Sequence, residues 1–176
     1  MPERFVLAID QGSSSTKVFA VAIDWRVLAR GTASLDLSTP QPGWVEQSPQ
    51  GVLESVRAAV VDLASQVDLA NALCLGISNL RDSLVLWERA SGKPVSPVIS
   101  WQDRRTAVLV NELSWAADEV RAISGLPLDP MFSALKARWL LDTHDPTRAR
   151  SEAGELVLGT IDAWLSEQTQ HVLDLC

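Results

Sequence analysis

The sequence predicts an α/β domain with a mixed sheet whose first three strands are antiparallel. Three observations carry that expectation. Apolar runs at Phe5–Ile9, Val18–Ile23 and Val27–Ser34 are joined by loops so short that the strands must run antiparallel. A helical stripe follows, with Val52, Val56, Ala59, Val60 and Leu63 recurring at three- and four-residue spacing. Beyond it, short β-rich runs are interleaved with helical ones.

Phe5–Ile9 is continuously apolar, as in a strand buried on both faces. It stops at Asp10-Gln11-Gly12-Ser13-Ser14-Ser15-Thr16-Lys17, and Val18–Ile23 returns. Trp25-Arg26 makes the next turn, into Val27–Ser34. The segment Pro40-Gln41-Pro42-Gly43-Trp44-Val45-Glu46-Gln47 is irregular and leads to Ser48-Pro49, an N-cap with proline at the first helical position. A helix is predicted over Pro49–Gln66, then a second buried strand over Leu73–Ser78. Ser83–Glu88 is β-rich, and Ser91-Gly92-Lys93-Pro94 turns back into Val95–Ile99. Helices are predicted over Arg105–Trp115, Glu119–Ile123 and Phe132–Asp142, the last amphipathic through Leu135, Trp139 and Leu140. Pro146 breaks that pattern, and Thr147–Ala153 reads as a further turn. A brief strand at Leu156–Leu158, a helix at Thr160–Glu167 and the start of a strand at His171–Leu175 complete the chain.

A length of 176 residues fits one domain with a core of its own, and 47% apolar residues argue against disorder. The net charge of −7 gives no footprint for nucleic acid or an anionic membrane. No run approaches the roughly 20 apolar residues of a membrane span, and the start lacks a basic-then-apolar signal pattern. Cys74 and Cys176 make neither a disulfide framework nor a metal spacing, so a reducing cytoplasm is expected. His144 and His171 lie far apart without ligand-like neighbours, which argues against zinc. The seven tryptophans read mostly as core or rim packing, and an indole is also a good platform for polyol C–H faces.

The loop after Phe5–Ile9 has the makings of a site. Gly12 permits positive φ and a close approach to the backbone. Successive N–H groups in such a turn form an anion-binding nest, beside which Lys17 adds charge. Asp10 suits a hard cation such as Mg²⁺, and the combination suits a metal-bound polyphosphate. The same residue types also make an ordinary hairpin. The loop is no Walker sequence, since the second glycine before the lysine is missing and a strand follows. Three more polar clusters accompany it. Gly76–Ser83 runs just past a strand's C-terminal end, where Arg81 and Asp82 either bind vicinal hydroxyls or are solvated surface charges. Ser100-Trp101-Gln102-Asp103-Arg104-Arg105 follows another strand, and Asp103 there also suits a helix N-terminus. Leu128–Ser133 reads as a turn and cap before the amphipathic helix.

Jointly these stretches resemble the FGGY carbohydrate kinases, and among them most closely the glycerol kinase branch. The matching pieces are Ala8–Ser15, Pro42-Gly43-Trp44-Val45-Glu46, Gly92-Lys93-Pro94 and Trp101–Thr106, then Ser124-Gly125-Leu126, Asp129-Pro130 and Gly159-Thr160-Ile161-Asp162. The resemblance implies an actin-like ATPase, ribonuclease-H-like fold. It implies ATP and Mg²⁺ as cofactors and a small polyol or sugar as substrate. By position, Gly12, Ser13, Ser14, Ser15 and Lys17 would contact phosphate, with Asp10 near the metal. Arg81, Asp82, Trp101 and Met131 would line the polyol pocket, while Asp162 reads as structural.

Departures from the glycerol kinase pattern bear on the substrate. Asn79-Leu80-Arg81-Asp82 stands where Asn-Gln-Arg-Glu is usual, Met131 where a tyrosine is usual, and Lys17 where an arginine is usual. Glycerol is the expected substrate, with another polyol or ketose close behind. The catalytic aspartate and a second, nucleotide-binding domain are expected beyond residue 176. Residues 1–176 are thus expected to form an N-terminal kinase domain, incomplete at its C-terminal end and inactive alone. A complementing C-terminal domain or a homo-oligomer is the expected partner, and Leu173 and Leu175 are expected to lie on an unpaired edge. The other expected roles are a polyol-binding regulatory module and a remnant without a ligand.

Overall fold

Alternation along the first two apolar runs sets the register of everything around them. In the computed structural model, which describes residues 3–168, strands β1 (Phe5–Gln11) and β2 (Ser15–Ala22) pair antiparallel from Phe5 opposite Ala22 to Gln11 opposite Thr16. Strand β3 (Val27–Ser34) extends the meander as expected, through a turn in which Trp25 adopts φ 70°. Phe5, Leu7 and Ile9 point into the core while Val6 and Ala8 are only half-buried, so β1 is covered more fully on one face than the other. The continuous apolar run had suggested burial on both faces; alternating exposure shows the sheet has one preferred inner face.

Helix α1 (Pro49–Ala64) begins as the sequence indicated, with the Ser48 hydroxyl accepting from the Gly51 N–H and proline in the first turn. Its buried stripe of Val52, Leu53, Val56, Ala59, Val60 and Leu63 lies on β2 and β3. The approach is closest at Gly31, where an added Cβ would stand 2.0 Å from the Ala59 carbonyl oxygen and 2.7 Å from the Leu63 nitrogen. After α1 the chain returns as β5 (Ala72–Asn79), parallel to β1, so the sheet runs β3-β2-β1-β5 and is mixed. Among the described residues strand β5 pairs on one side only, with β1, and Leu73 is 46% exposed. The strand expected at Leu73–Ser78 is therefore present but not buried, and among the described residues its apolar run has a ladder partner on only one side.

The second sheet is antiparallel throughout. It contains β4 (Glu46–Gln47), β6 (Leu84–Glu88), β7 (Val98–Ile99) and β8 (Leu156–Thr160), in the order β4-β7-β6-β8. Helices α2 (Ala107–Glu112), α3 (Ala117–Ser124), α4 (Ser133–His144) and α5 (Ala149–Glu152) accompany it. Leu84, Ile99 and Leu140 form a buried cluster against which Ala137, Trp139 and Leu158 pack. The expected helix over Arg105–Trp115 starts at Ala107 and ends in a separate 3₁₀ turn at Ser114–Ala116. Its first two expected residues are held instead in the turn that precedes the helix. Strand β7 is shorter than Val95–Ile99, because Ser96 turns its hydroxyl onto the Leu86 N–H and takes the place of a ladder bond.

The described residues fall into two compact units. One comprises residues 3–37, 48–80 and 161–168, the first sheet with α1 and α6 (Ile161–Glu167). The other comprises residues 38–47 and 81–160, the second sheet with α2 to α5. The strand expected at His171–Leu175, with Leu173 and Leu175, lies outside the described residues. Among the described residues no helix is long and apolar enough to cross a membrane.

Gly31→Ala tests the helix–strand contact. The methyl group must displace backbone on α1, so a loss of about 2 kcal/mol or more is expected, read as a lower urea midpoint with an unchanged denaturant slope.

Candidate functional site

The hairpin loop is shorter and better braced than its sequence suggested. Asp10 and Lys17 are not in the loop but opposite each other in the ladder, which leaves Gly12-Ser13-Ser14 as the tip. The Gly12 N–H closes the turn on the Ser15 carbonyl at 2.9 Å. Gln11 is fully buried, its amide nitrogen donating to the Gly12 carbonyl at 2.7 Å. Thr16 is buried on the other side, its hydroxyl 2.7 Å from that of Ser55 on α1. The Leu35 N–H reaches the Ser14 carbonyl at 2.9 Å, and the Leu80 N–H reaches that of Gln11 at 3.1 Å. Buried polar residues just beneath the tip thus explain why the ladder runs two residues further than the apolar runs do. Above them Asp10 and Ser14 are exposed, with Gly12, Ser13, Ser15 and Lys17 half-buried.

These donors suit a magnesium-bound polyphosphate: hydroxyls and an ammonium for phosphate oxygens, and one exposed carboxylate for a hard cation. Among the described residues no cluster of three His, Cys, Asp or Glu could hold a metal alone. Asp10 would hold Mg²⁺ only with phosphate oxygens and water completing the shell.

In the second unit, the polar cluster past β5 makes a two-residue turn at Arg81-Asp82. Asp82 sits in the left-handed region at φ 61°, which an aspartate tolerates better than most residues. The Ser83 hydroxyl is buried and accepts from the Trp101 N–H at 3.0 Å, tying the start of β6 to the Trp101 loop. Trp101 and Met131 line one open cleft of about 440 Å³, together with Gln102, Arg104, Asp129 and Phe132. Asp82 lines a smaller, more apolar cavity of about 270 Å³ that shares Pro127, Asp129 and Phe132 with the cleft. Arg81 is exposed and lines neither. Asp129 caps its turn as expected, accepting from the Met131 N–H at 2.8 Å.

Two residues outside the expected set organise this region. Arg105 has a side chain only 1% exposed, and its guanidinium donates to Asp103 at 2.8 and 2.9 Å and to Glu46 at 2.7 Å. Its Cζ lies 3.8 Å from the Trp44 ring centroid and 4.6 Å from that of Trp139. Asp103, read as a helix-start acid, instead accepts from Arg105 and from the Val45 N–H at 2.6 Å. Lys136 is the second. It is fully buried on α4 and donates to the Asp82 carbonyl at 3.0 Å and to the Met131 carbonyl. Burial pushes its ammonium down to about 8, against the pull of the Asp82, Asp103 and Asp129 carboxylates. A spacing signal was present: Lys136 occupies the stripe of Phe132, Leu135, Trp139 and Leu140.

Asp162, in the first turn of α6, accepts from the Asn79 amide at 2.8 Å, which fits the structural role expected of it.

A mixed sheet with a braced hairpin, followed by an antiparallel sheet bearing a cleft, is a fold this chain shares with solved sugar and polyol kinases. The fold matches that of the crystal structure of Plasmodium falciparum glycerol kinase with ADP, at a TM-score of 0.83 and 27% identity over 93% of this chain and 33% of that one. Gluconate kinase from Lactobacillus acidophilus shares the fold at a TM-score of 0.79 and 19% identity, over 92% of this chain and 32% of its own. In sequence, the glycerol kinase of Methylibium petroleiphilum is 41% identical over 93% of this chain and 34% of its own length. That of Rhodospirillum rubrum is 44% identical over 92% and 33%. The chain belongs to the FGGY family of carbohydrate kinases, whose N-terminal domain matches residues 5–175. It spans about a third of the length of the curated relatives it matches.

Arg105→Ala would strand the buried Asp103 carboxylate and is expected to cost about 3–5 kcal/mol. Arg105→Lys keeps the charge but loses the fork and should fall between the two. Urea unfolding followed by tryptophan fluorescence measures both. The Lys136 ammonium is the second check. Its value in the fold, about 8, lies below its ordinary 10.5, so holding the proton costs stability below about pH 8. Stability should therefore rise as pH climbs from about 8 toward 10.5. The slope in that window should vanish in Lys136→Met.

Proposed function

We propose that this chain is the polyol- and phosphate-binding part of an ATP-dependent kinase that transfers a phosphoryl group to glycerol or a similar polyol. The observation that carries the proposal is the cleft in which Trp101 and Met131 meet polar neighbours. It has an indole wall for C–H faces and a volume of about 440 Å³, room for a small polyol. Family membership and the glycerol kinase relatives support the same substrate class.

Each residue then has a task. Arg81, which stands outside the cleft, and Asp82, on the adjoining cavity, are proposed to reach in from its edge, Arg81 donating to substrate hydroxyls and the Asp82 carboxylate accepting from them. Trp101 and Met131 shut water away from the carbon chain. Leu80, Asp82 and Met131 replace longer or more polar side chains of the glycerol kinase pattern. A polyol with different hydroxyl spacing can therefore compete with glycerol by a large factor. In the other unit, Ser13, Ser14, Ser15 and Lys17 would hold phosphate oxygens, with Gly12 letting them come close to the backbone, and Asp10 would hold Mg²⁺ together with phosphate oxygens and water. Bound MgATP supplies the transferable phosphoryl group; the chain contributes positioning and charge neutralisation.

No described residue is assigned as the general base. By itself the chain is proposed to bind a polyol without phosphorylating it. A complementing C-terminal domain, or a homo-oligomer, is the proposed partner. A cytoplasmic setting suits the free, exposed Cys74.

Calorimetry of the purified chain with glycerol and a panel of polyols tests the binding reading. Saturable heat is expected, weakened by about tenfold or more in Arg81→Ala, the loss of a charged hydrogen-bond donor. A folded chain that takes up no polyol would sink it. With MgATP added, ADP formation above background would overturn the proposed inactivity.

A further inference from the structure

A fully buried ammonium needs a reason. Lys136 has no carboxylate within ion-pair distance among the described residues, and it donates to two backbone carbonyls, those of Asp82 and Met131. Burying a charge on neutral partners is costly, and an apolar side chain in the same stripe would usually be at least as stable. The two carbonyls belong to separate segments, the Arg81-Asp82 turn before β6 and the Asp129–Phe132 turn before α4. Asp82 is held at φ 61°, a conformation that persists only where its surroundings enforce it. The Ser133 hydroxyl, one helical turn below Lys136, stands 3.5 Å from the Asp82 carboxylate. Asp129 in turn holds the Met131 N–H. Both segments carry side chains assigned above to the polyol.

We propose that Lys136 is a positioning residue whose ammonium clamps the Asp82 and Met131 carbonyls together, so that the two turns face the polyol as one rigid wall. The polyol in that statement rests on the function proposed above; the clamp does not. Protonated Lys136 satisfies both carbonyls with charge-assisted bonds and fixes the left-handed turn at Asp82. The charged groups facing it, Asp82, Asp103 and Asp129, come from three different segments and favour the charged form. Burial opposes them, so opening the clamp, which returns Lys136 toward its ordinary 10.5, takes up a proton and becomes harder as pH climbs past about 8.

Amide hydrogen exchange on the ligand-free chain tests the clamp directly. In Lys136→Met, the amides of Asp82, Ser83, Met131, Phe132 and Ser133 are expected to exchange about tenfold faster or more. Those of β1, β2 and α1 should not change. Equal exchange at the two turns would overturn the proposal. If the variant does not fold, the wild-type chain decides. Between about pH 7 and pH 9, after correction for intrinsic rates, protection should rise at these five amides, because opening that releases Lys136 takes up a proton, and a constant ratio would overturn the clamp. Glycerol calorimetry separates the two readings. Wild-type binding that persists unweakened in Lys136→Met refutes the link to the substrate. Absence of binding by the wild type refutes the polyol, with the exchange result still deciding the clamp.

Discussion

The Arg105 guanidinium is the constraint on which the second unit depends. It collects three separate segments: Trp44 and Glu46 around β4, Asp103 after β7, and Trp139 on α4. Each contact alone is modest. A cation against an indole contributes about 0.5–2 kcal/mol depending on desolvation, and an exposed ion pair adds less than about 1 kcal/mol. Here the side chain is 1% exposed and the partners converge on one rigid plane, so removing any one leaves the others unmatched in a water-poor setting. Backbone follows side chain. The Val45 N–H goes to Asp103, the Ser100 N–H to the Val45 carbonyl, and the Arg104 N–H to the Gly43 carbonyl. The Trp101 loop is thereby stitched to the proline-rich segment, and the cleft beside Trp101 acquires a fixed wall.

Buried polar atoms recur wherever a candidate site residue is held. Gln11 and Thr16 brace the hairpin tip from below, Ser83 fixes Trp101, and Lys136 holds the Asp82 and Met131 carbonyls. None of these four is among the residues expected to touch a ligand. They make the exposed residues above them rigid. A group that must meet a phosphate or a hydroxyl within hydrogen-bond distance works only if its own backbone does not move, and water-excluded hydrogen bonds supply that stiffness. This arrangement also explains the left-handed Asp82, whose conformation would relax if its carbonyl lost a partner.

Much of this was legible in the sequence. Val27–Ser34 and the start of α1 at Pro49 are where the patterning put them, because alternation and a Ser-Pro cap are local signals. The hairpin with hydroxyls at its tip and the turn at Asp129 were equally local. Arg105 and Lys136 were not singled out. A charged residue in an apolar stripe is ambiguous in one dimension, since its partners, Glu46 and Trp44 for Arg105 and Asp82 for Lys136, are about 50 to 60 residues away. The strand at Leu73–Ser78 is where the sequence put it, but among the described residues it lacks the expected burial, for a related reason. An apolar run reports that a segment can be buried, and its place at the edge of a sheet is decided by neighbours that the run does not contain.

What the sequence by itself determined is the set of elements, their order and the family, because periodicity, capping and motif spacing are properties of neighbouring residues. Tertiary structure alone decided that β6, β7 and β8 leave the first sheet for a second one, and that Arg81 stands apart from the cleft holding Trp101 and Met131. It also decided that a lysine and an arginine would carry the site from within. Those outcomes depend on long-range pairing and on the cost of desolvating a charge, and both are set only when distant segments meet.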